Sequence, residues 1–264
     1  MKKINIFLII LLSILAVSCG KKKRKNMTSE ESFSYAFELY KKGKYEKAIQ
    51  EFTIITLNFP GSNIADDSQF YLAECYFDTK QFLLAQSEYQ RLVYDFPNSE
   101  FVDDAEYKTA LSLYKMAPKN TSLDITDLER ALAKFQEFFE AYPKSELVPE
   151  IESKIKECRL KLAKKTFNNA ETYRKIGYYG SAITYYNFVL QKYYDTDYAD
   201  DAQYRKGYTY LKAKKYSDSK RELEIFLQNY QKSVFIDEAK KKLKEAEKKL
   251  AKQVLEEETE TAKK

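Results

Sequence analysis

The chain has 264 residues and a formal net charge of +5, with 44% hydrophobic and 32% charged residues but only six glycines and five prolines. That balance excludes collagen-like and Pro/Gly-rich disordered chains and points to a folded, helix-rich protein. With no histidine, imidazole acid–base catalysis and histidine metal ligation are excluded, and the glycines form neither GxxxxGK nor GxGxxG.

Lys2 and Lys3 precede an apolar run from Ile4 to Val17, interrupted by Asn5 and Ser13. At ~1.5 Å rise per residue it spans roughly 21 Å, short of the ~30 Å hydrocarbon core, so it reads as a secretory signal. Its end, Leu15-Ala16-Val17-Ser18-Cys19-Gly20, resembles a bacterial lipobox, with Ala16 where Leu is usual and Leu15 one position further out. The expectation is that residues 1–18 are removed and Cys19 is acylated as the new first residue. Each buried methylene then contributes ~0.8 kcal/mol, so multiple acyl chains anchor the protein stably. Gly20 follows the cysteine in place of the Asp that retains many lipoproteins in the inner membrane, which favours the outer one.

Residues 19–31 form a tether containing Lys21-Lys22-Lys23-Arg24-Lys25. This run either rests on anionic headgroups at ~1 kcal/mol per residue or is a solvated spacer. Removing residues 1–18 takes away Lys2 and Lys3 and no acid, so the net charge falls from +5 to +3. No nucleic-acid partner is expected from that balance.

From residue 32 the sequence repeats. Ala36, Gly43, Tyr45, Ala48, Phe52, Phe59 and Pro60 recur 37 residues on as Ala73, Lys80, Phe82, Ala85, Tyr89, Phe96 and Pro97. A third copy aligns Leu128, Ala131, Phe135, Tyr142 and Pro143. A fourth gives Ala170, Gly177, Tyr179, Ala182, Tyr186 and Tyr193; a fifth gives Gly207, Lys214, Tyr216, Ser219, Leu223 and Tyr230. Steps of three and four put these residues on one helical face, the small ones admitting a paired helix and the aromatics filling the space between pairs. Gly43 and Gly177 mark the turn within a pair, and Pro60, Pro97 and Pro143 stop the second helix. The pattern looks like the tetratricopeptide repeat, which predicts an all-α solenoid of five helical hairpins.

Two irregularities divide the array. An insertion around Met116 to Thr126 predicts a loop inside repeat three, which closes a first half at residues 32–150. Ile151 to Ile176, without Pro or Gly, predicts one long helix before repeats four and five, in a second half at residues 151–238. Residues 239–264 carry a narrow stripe of Ala239, Leu243, Ala246, Leu250 and Val254, read as a capping helix that frays from Glu256. Cys75 and Cys158 fall at core spacing in different repeats and read as two separate buried thiols, although an exported chain permits a disulfide. The pairs Asp66-Asp67, Asp103-Asp104 and Asp200-Asp201 open first helices, where carboxylates suit the N-terminal dipole better than calcium.

Most aromatics are core by register. Those outside it on first helices, Tyr71, Tyr107, Tyr204 and Tyr208, are candidates for exposed contacts, since tyrosine joins apolar area to one hydrogen-bonding tip. No catalytic residue, metal site or cofactor is expected.

Phe59-Pro-Gly-Ser, Asp95-Phe-Pro-Asn-Ser-Glu-Phe-Val-Asp-Asp-Ala-Glu-Tyr107, Ala141-Tyr-Pro-Lys-Ser-Glu-Leu147 and Lys154-Ile-Lys-Glu-Cys-Arg-Leu-Lys-Leu-Ala163 occur in this order behind the lipobox. The ordered set resembles the BamD family, also called YfiO or ComL, over about residues 32–239. The resemblance implies a non-enzymatic lipoprotein on the periplasmic face of the outer membrane, within the β-barrel assembly machinery. Repeats one to three would receive unfolded β-barrel outer-membrane proteins, with Tyr71 and Tyr107 as candidate contacts. Repeats four and five would bind the POTRA region of a BamA-like barrel protein, with Tyr185, Tyr204, Arg205, Tyr208 and Arg221 as candidates; accessory Bam lipoproteins are further implied partners. Family members commonly carry an Arg where this chain has Tyr185 and a Glu where it has Thr166, so Arg205 or Arg221 would meet partner acids instead. A periplasmic repeat lipoprotein that scaffolds envelope growth or division factors is the alternative, though no coiled coil precedes Ser32. A carbohydrate-capturing lipoprotein would need larger insertions.

Overall fold

The computed structural model describes residues 27–120 and 123–261, so the signal segment, Cys19 and the basic run lie outside the described residues. The described residues form eleven α-helices and no strand, in two compact units.

The first unit holds residues up to 116 together with 140–145. Its helices are α1 (Ser29–Lys41), α2 (Tyr45–Asn58), α3 (Ala65–Asp78), α4 (Phe82–Asp95) and α5 (Val102–Met116), each packed on the next. A capping box starts α1: Glu31 N–H donates to Thr28 Oγ1 at 3.2 Å, and Thr28 N–H to Glu31 Oε2 at 3.1 Å. The register of the repeat is the register of the core, because Ala36, Ala48, Phe52, Ala73, Ala85 and Tyr89 are all fully buried. A buried ring of this size stabilises by roughly 1.5–3 kcal/mol.

The second unit holds residues 117–139 and 146–261. It contains most of α6 (Thr126–Ala141), then α7 (Val148–Lys175), α8 (Tyr179–Lys192), α9 (Tyr198–Lys212), α10 (Tyr216–Asn229) and α11 (Ile236–Thr261). Leu128, Ala131, Phe135, Ala170, Ala182, Tyr186, Ser219 and Leu223 are buried, again as the register requires. The expected long helix is α7, with Pro149 in its first turn, where a missing N–H leaves no bond unmade. Arg159 ties α7 to the turn after α8, donating to Lys192 O at 2.7 Å and to Asp195 Oδ2 at 2.9 Å. The inserted loop is held locally: Thr126 N–H bonds Asp124 Oδ1 at 2.9 Å, and Lys165 of α7 donates to Leu123 O.

Both turns of the hairpin have a backbone cause. Gly43 and Gly177 adopt φ of +66° and +86°, and Lys80 and Lys214, aligned with them, adopt +61° and +59°. Proline is not what ends the second helices. Phe59, Phe96, Tyr193 and Tyr230 leave the helix with φ between −121° and −131°, although no proline follows the last two. Each of those carbonyls, and that of Tyr142, accepts the N–H three residues on, at 3.0 or 3.1 Å. That tight turn stops the chain with or without the ring of proline.

The Asp pairs lie in the first turns of α3, α5 and α9, as the sequence reading expects. Two sequence expectations need correction. The capping helix does not fray at Glu256 but continues to Thr261, supported by Lys252–Glu256 at 3.4 Å and Gln253–Glu257 at 2.9 Å one turn apart. Tyr45, Phe82, Tyr179 and Tyr216 are half-buried rather than core, because they stand at the hairpin ends. Cys75 and Cys158 are free and buried.

Candidate interaction surfaces

In the first unit the half-buried rings of α1 and α3 converge on Tyr71. Phe37 meets it edge-on at 4.7 Å, Tyr40 lies at 5.2 Å, and Phe33 and Phe52 each at 6.1 Å. Tyr71 therefore sits at the centre of an aromatic face in place of standing alone, and Phe33, Phe37 and Tyr40 belong to that face with it. Sequence reasoning missed these three, although their spacing from residue 33 to 37 to 40 is the signal of one helical stripe.

Behind the face lies a buried polar pair. Tyr89 donates to Glu74, and Lys108 holds the same carboxylate at 2.9 Å while also lying 4.9 Å from the Phe77 ring. Burial, and then the Glu74 charge, drive the Tyr89 hydroxyl far above its usual range, so it stays a donor. Tyr107 does not join the surface: it is 4% exposed. On α5 the buried residues run through Ala105, Tyr107, Thr109, Ala110, Ser112 and Leu113, an arc wider than a single stripe, and Tyr107 falls within it.

The second unit repeats the polar pair. Tyr186 donates to Glu171, which Arg174 grips with two bonds of 2.9 and 2.7 Å. Against the upward push of burial, the bonds from Arg174 and Tyr186 hold the Glu171 carboxyl below its usual range. Tyr185 stacks on Tyr173 at 5.4 Å and 13°, which places both rings on the half-exposed side of α7 and α8.

Tyr204 is completely buried, stacked on Phe235 at 4.8 Å and 8°, so it is unavailable to a partner. The turn just ahead of α11 brings Phe235 over it, an event written beyond that hairpin's own sequence. Tyr208 lies half-buried beside it at 6.4 Å and stays accessible. Arg205 spreads over the Tyr204 and Phe235 rings at 5.5 and 5.6 Å. Arg221 is 59% exposed but bonded to Asp218 at 2.8 Å and Glu222 at 3.3 Å, on α10 and away from the Arg205 stack. The structure thus brings Tyr204, Arg205 and Tyr208 together, whereas Arg221 belongs to a separate ion-pair group. Sequence reasoning also missed Arg174, Lys212 and Lys242 around Tyr208. A further groove of about 930 Å³ opens between the turns at 194–201 and 228–234, with exposed Tyr194 and Val234 at its rim.

A family model described as outer membrane lipoprotein, YfiO, matches residues 25–214, and a tetratricopeptide repeat model matches residues 201–233. No curated protein matches the chain. Among solved structures it is similar to the TPR2AB domain of yeast Sti1 in complex with pHSP90, at 10% identity and TM-score 0.39 over 83% of this chain and 98% of that one. It is similar to the TPR domain of P58(IPK), at 16% identity and TM-score 0.43 over 85% and 66% of the two chains. A thermophilic TPR protein of Thermus thermophilus is similar at 14% identity and TM-score 0.36, over 83% and 98%.

Proposed function

The chain belongs to the YfiO family of outer membrane lipoproteins, and on that premise we propose that it is a non-enzymatic scaffold of the β-barrel assembly machinery. Acylated at Cys19, it is held on the periplasmic face of the outer membrane. The first unit receives unfolded β-barrel proteins on the Tyr71 aromatic face, and the second binds the POTRA region of a BamA-like barrel protein.

The observation that carries this reading is the family match itself, which extends from ahead of α1 to the turn before α10. The geometry supports it in kind. Two faces of accessible aromatics, Phe33, Phe37, Tyr40 and Tyr71 in one unit and Tyr173, Tyr185 and Tyr208 in the other, suit extended or folded polypeptide. Beneath them Tyr89 is paired with Glu74 and Tyr186 with Glu171, so these buried polar groups support the faces rather than open onto them.

Affinity purification of a C-terminally tagged, native-level copy from detergent-solubilised envelopes tests the reading. A stoichiometric POTRA-containing barrel protein is the expected co-eluate, and its recovery should survive Tyr71→Ala while release of unfolded barrel substrate increases. Recovery of division or glycan enzymes in its place would leave the family and fold intact and overturn the assembly role.

A further inference from the structure

Arg174, Tyr208 and Lys242 occupy α7, α9 and α11, three first helices in succession, each 34 residues from the next (174, 208, 242). Their side chains meet around one ring. The Arg174 guanidinium lies 5.8 Å from the Tyr208 centroid, Lys242 Nζ 5.3 Å, and Lys212 Nζ, one turn along α9, 5.4 Å. Three cations this close to one point interact within roughly the ~8–10 Å screening length, so they repel one another. The electron-rich ring face offsets part of that repulsion.

The compensation inside the chain is incomplete. Arg174 has its fork filled by Glu171, and Lys242 pairs with Glu245 at 3.2 Å. Lys212, by contrast, is exposed and makes no ion pair among the described residues, and the Tyr208 hydroxyl makes no hydrogen bond among them. The ring is held in place from below, because Tyr208 stacks on Tyr204 and Tyr204 on Phe235 at interplanar angles of 10° and 8°. The site is therefore preorganised, and Lys212 is the cation in it without an acidic partner among the described residues.

We propose that Tyr208, Arg174, Lys212 and Lys242 form a carboxylate-binding site for an acidic segment of a protein partner. A carboxylate there accepts from Lys212 and from the Tyr208 hydroxyl, while its aliphatic stem rests on the ring. A phosphate fits less well, since the one guanidinium fork that would grip it is already closed on Glu171. The proposal deepens the partner-facing role of the second unit and rests on that reading for the partner's identity.

Zero-length carbodiimide coupling in native envelopes containing the full tagged chain tests it, because the reagent joins lysine amines to carboxylates and not to phosphates. The expected result is amide formation between Lys212 or Lys242 and an Asp or Glu of another protein, at least ten-fold above coupling at Lys244 and Lys248, exposed on α11. Lys212→Arg should keep the partner and lose its own crosslink; Lys212→Glu combined with Lys242→Glu should lower partner recovery at least ten-fold with unchanged helical circular dichroism. Crosslinks no stronger than at Lys244 and Lys248 would overturn the proposal. So would charge-dependent capture of phosphatidylglycerol vesicles without any protein crosslink. Undiminished recovery of a POTRA protein by the double variant removes the site and leaves the assembly reading. Coupling of Lys212 to a protein without POTRA domains does the reverse.

Discussion

A Cβ added to Gly207 would stand 2.8 Å from Leu223 Cγ and 3.3 Å from the Leu223 backbone nitrogen, so α9 and α10 approach to a separation that only glycine permits. The same contact lets Ser219 Oγ donate to the Gly207 carbonyl at 2.9 Å in a fully buried position. The small–small register of the repeat is thus a statement about interhelical distance. Gly207→Ala should destabilise the second unit by about 1–3 kcal/mol, the usual cost of overpacking. Thermal unfolding against Gly180→Ala, where an added Cβ meets nothing within 4 Å, provides the control. Equal melting temperatures for the two variants would refute the close-approach account.

Lys80 and Lys214 hold left-handed backbone at the turn that Gly43 and Gly177 occupy in other repeats. For a residue with a Cβ this conformation costs roughly 1–2 kcal/mol, against which glycine's larger unfolded-state entropy sets about 0.5–1 kcal/mol. Lys80→Gly and Lys214→Gly should therefore each raise stability by a few tenths to about 1 kcal/mol. Denaturant titration should show the midpoint rising in both variants; a fall in either would mean the lysine side chain contributes more than its strain costs.

Glu222 is 5% exposed and accepts from Gln203 at 2.9 Å and from Lys206 at 2.9 Å. Against the upward push of burial, bonds from Lys206 and Gln203 hold its carboxyl below the usual range. A lowered folded-state pKa adds stability above the unfolded value and loses it as pH falls through the folded one. Glu222→Gln should therefore cost about 1.5–3 kcal/mol at pH 7. The gap from wild type should close below the ordinary carboxylate pKa of 4.5. Urea titrations at neutral and acid pH measure it; a gap that does not change with pH would exclude the charged pair as its source.

Burial, with Asp78 and then Glu74 adding to it, pushes the Cys75 thiol up to about 12; burial alone leads for Cys158, also at about 12. Thiolate, the reactive form, is then negligible at neutral pH. In a Cys19→Ser chain, which removes the remaining thiol, both cysteines should resist maleimide until the unit that holds them unfolds. Labelling that precedes the unfolding transition by spectroscopy would show local opening at α3 or α7.

Much of the fold was legible because its instructions are local. Ala48 and Phe52 on α2, or Ala182 and Tyr186 on α8, mark one face of a helix by spacing alone, and each proved buried. The long α7 and the loop before α6 showed as breaks in the period. Helix ends were legible for the wrong reason: the prolines after Phe59 and Phe96 drew attention, while the backbone turn that stops every second helix also works after Tyr193 and Tyr230.

The interaction surfaces were less legible. Tyr107 and Tyr204 lie outside the core register of their own hairpins and looked exposed, yet both are buried. Tyr107 falls within the wide buried arc of α5, and Tyr204 is covered by Phe235 from beyond its own hairpin. Nothing in the identity of Lys80 or Lys214 announces a positive φ beyond their alignment with glycines.

The sequence by itself determined the helices, their pairing into hairpins and the residues each hairpin buries, because three- and four-residue spacing and turn chemistry act within a few residues of chain. Only the tertiary structure decided which aromatics remain accessible and which charges share them. Arg174, Lys212 and Lys242 meet at Tyr208 because alternate helices stand side by side, and that adjacency depends on how each hairpin packs on the next.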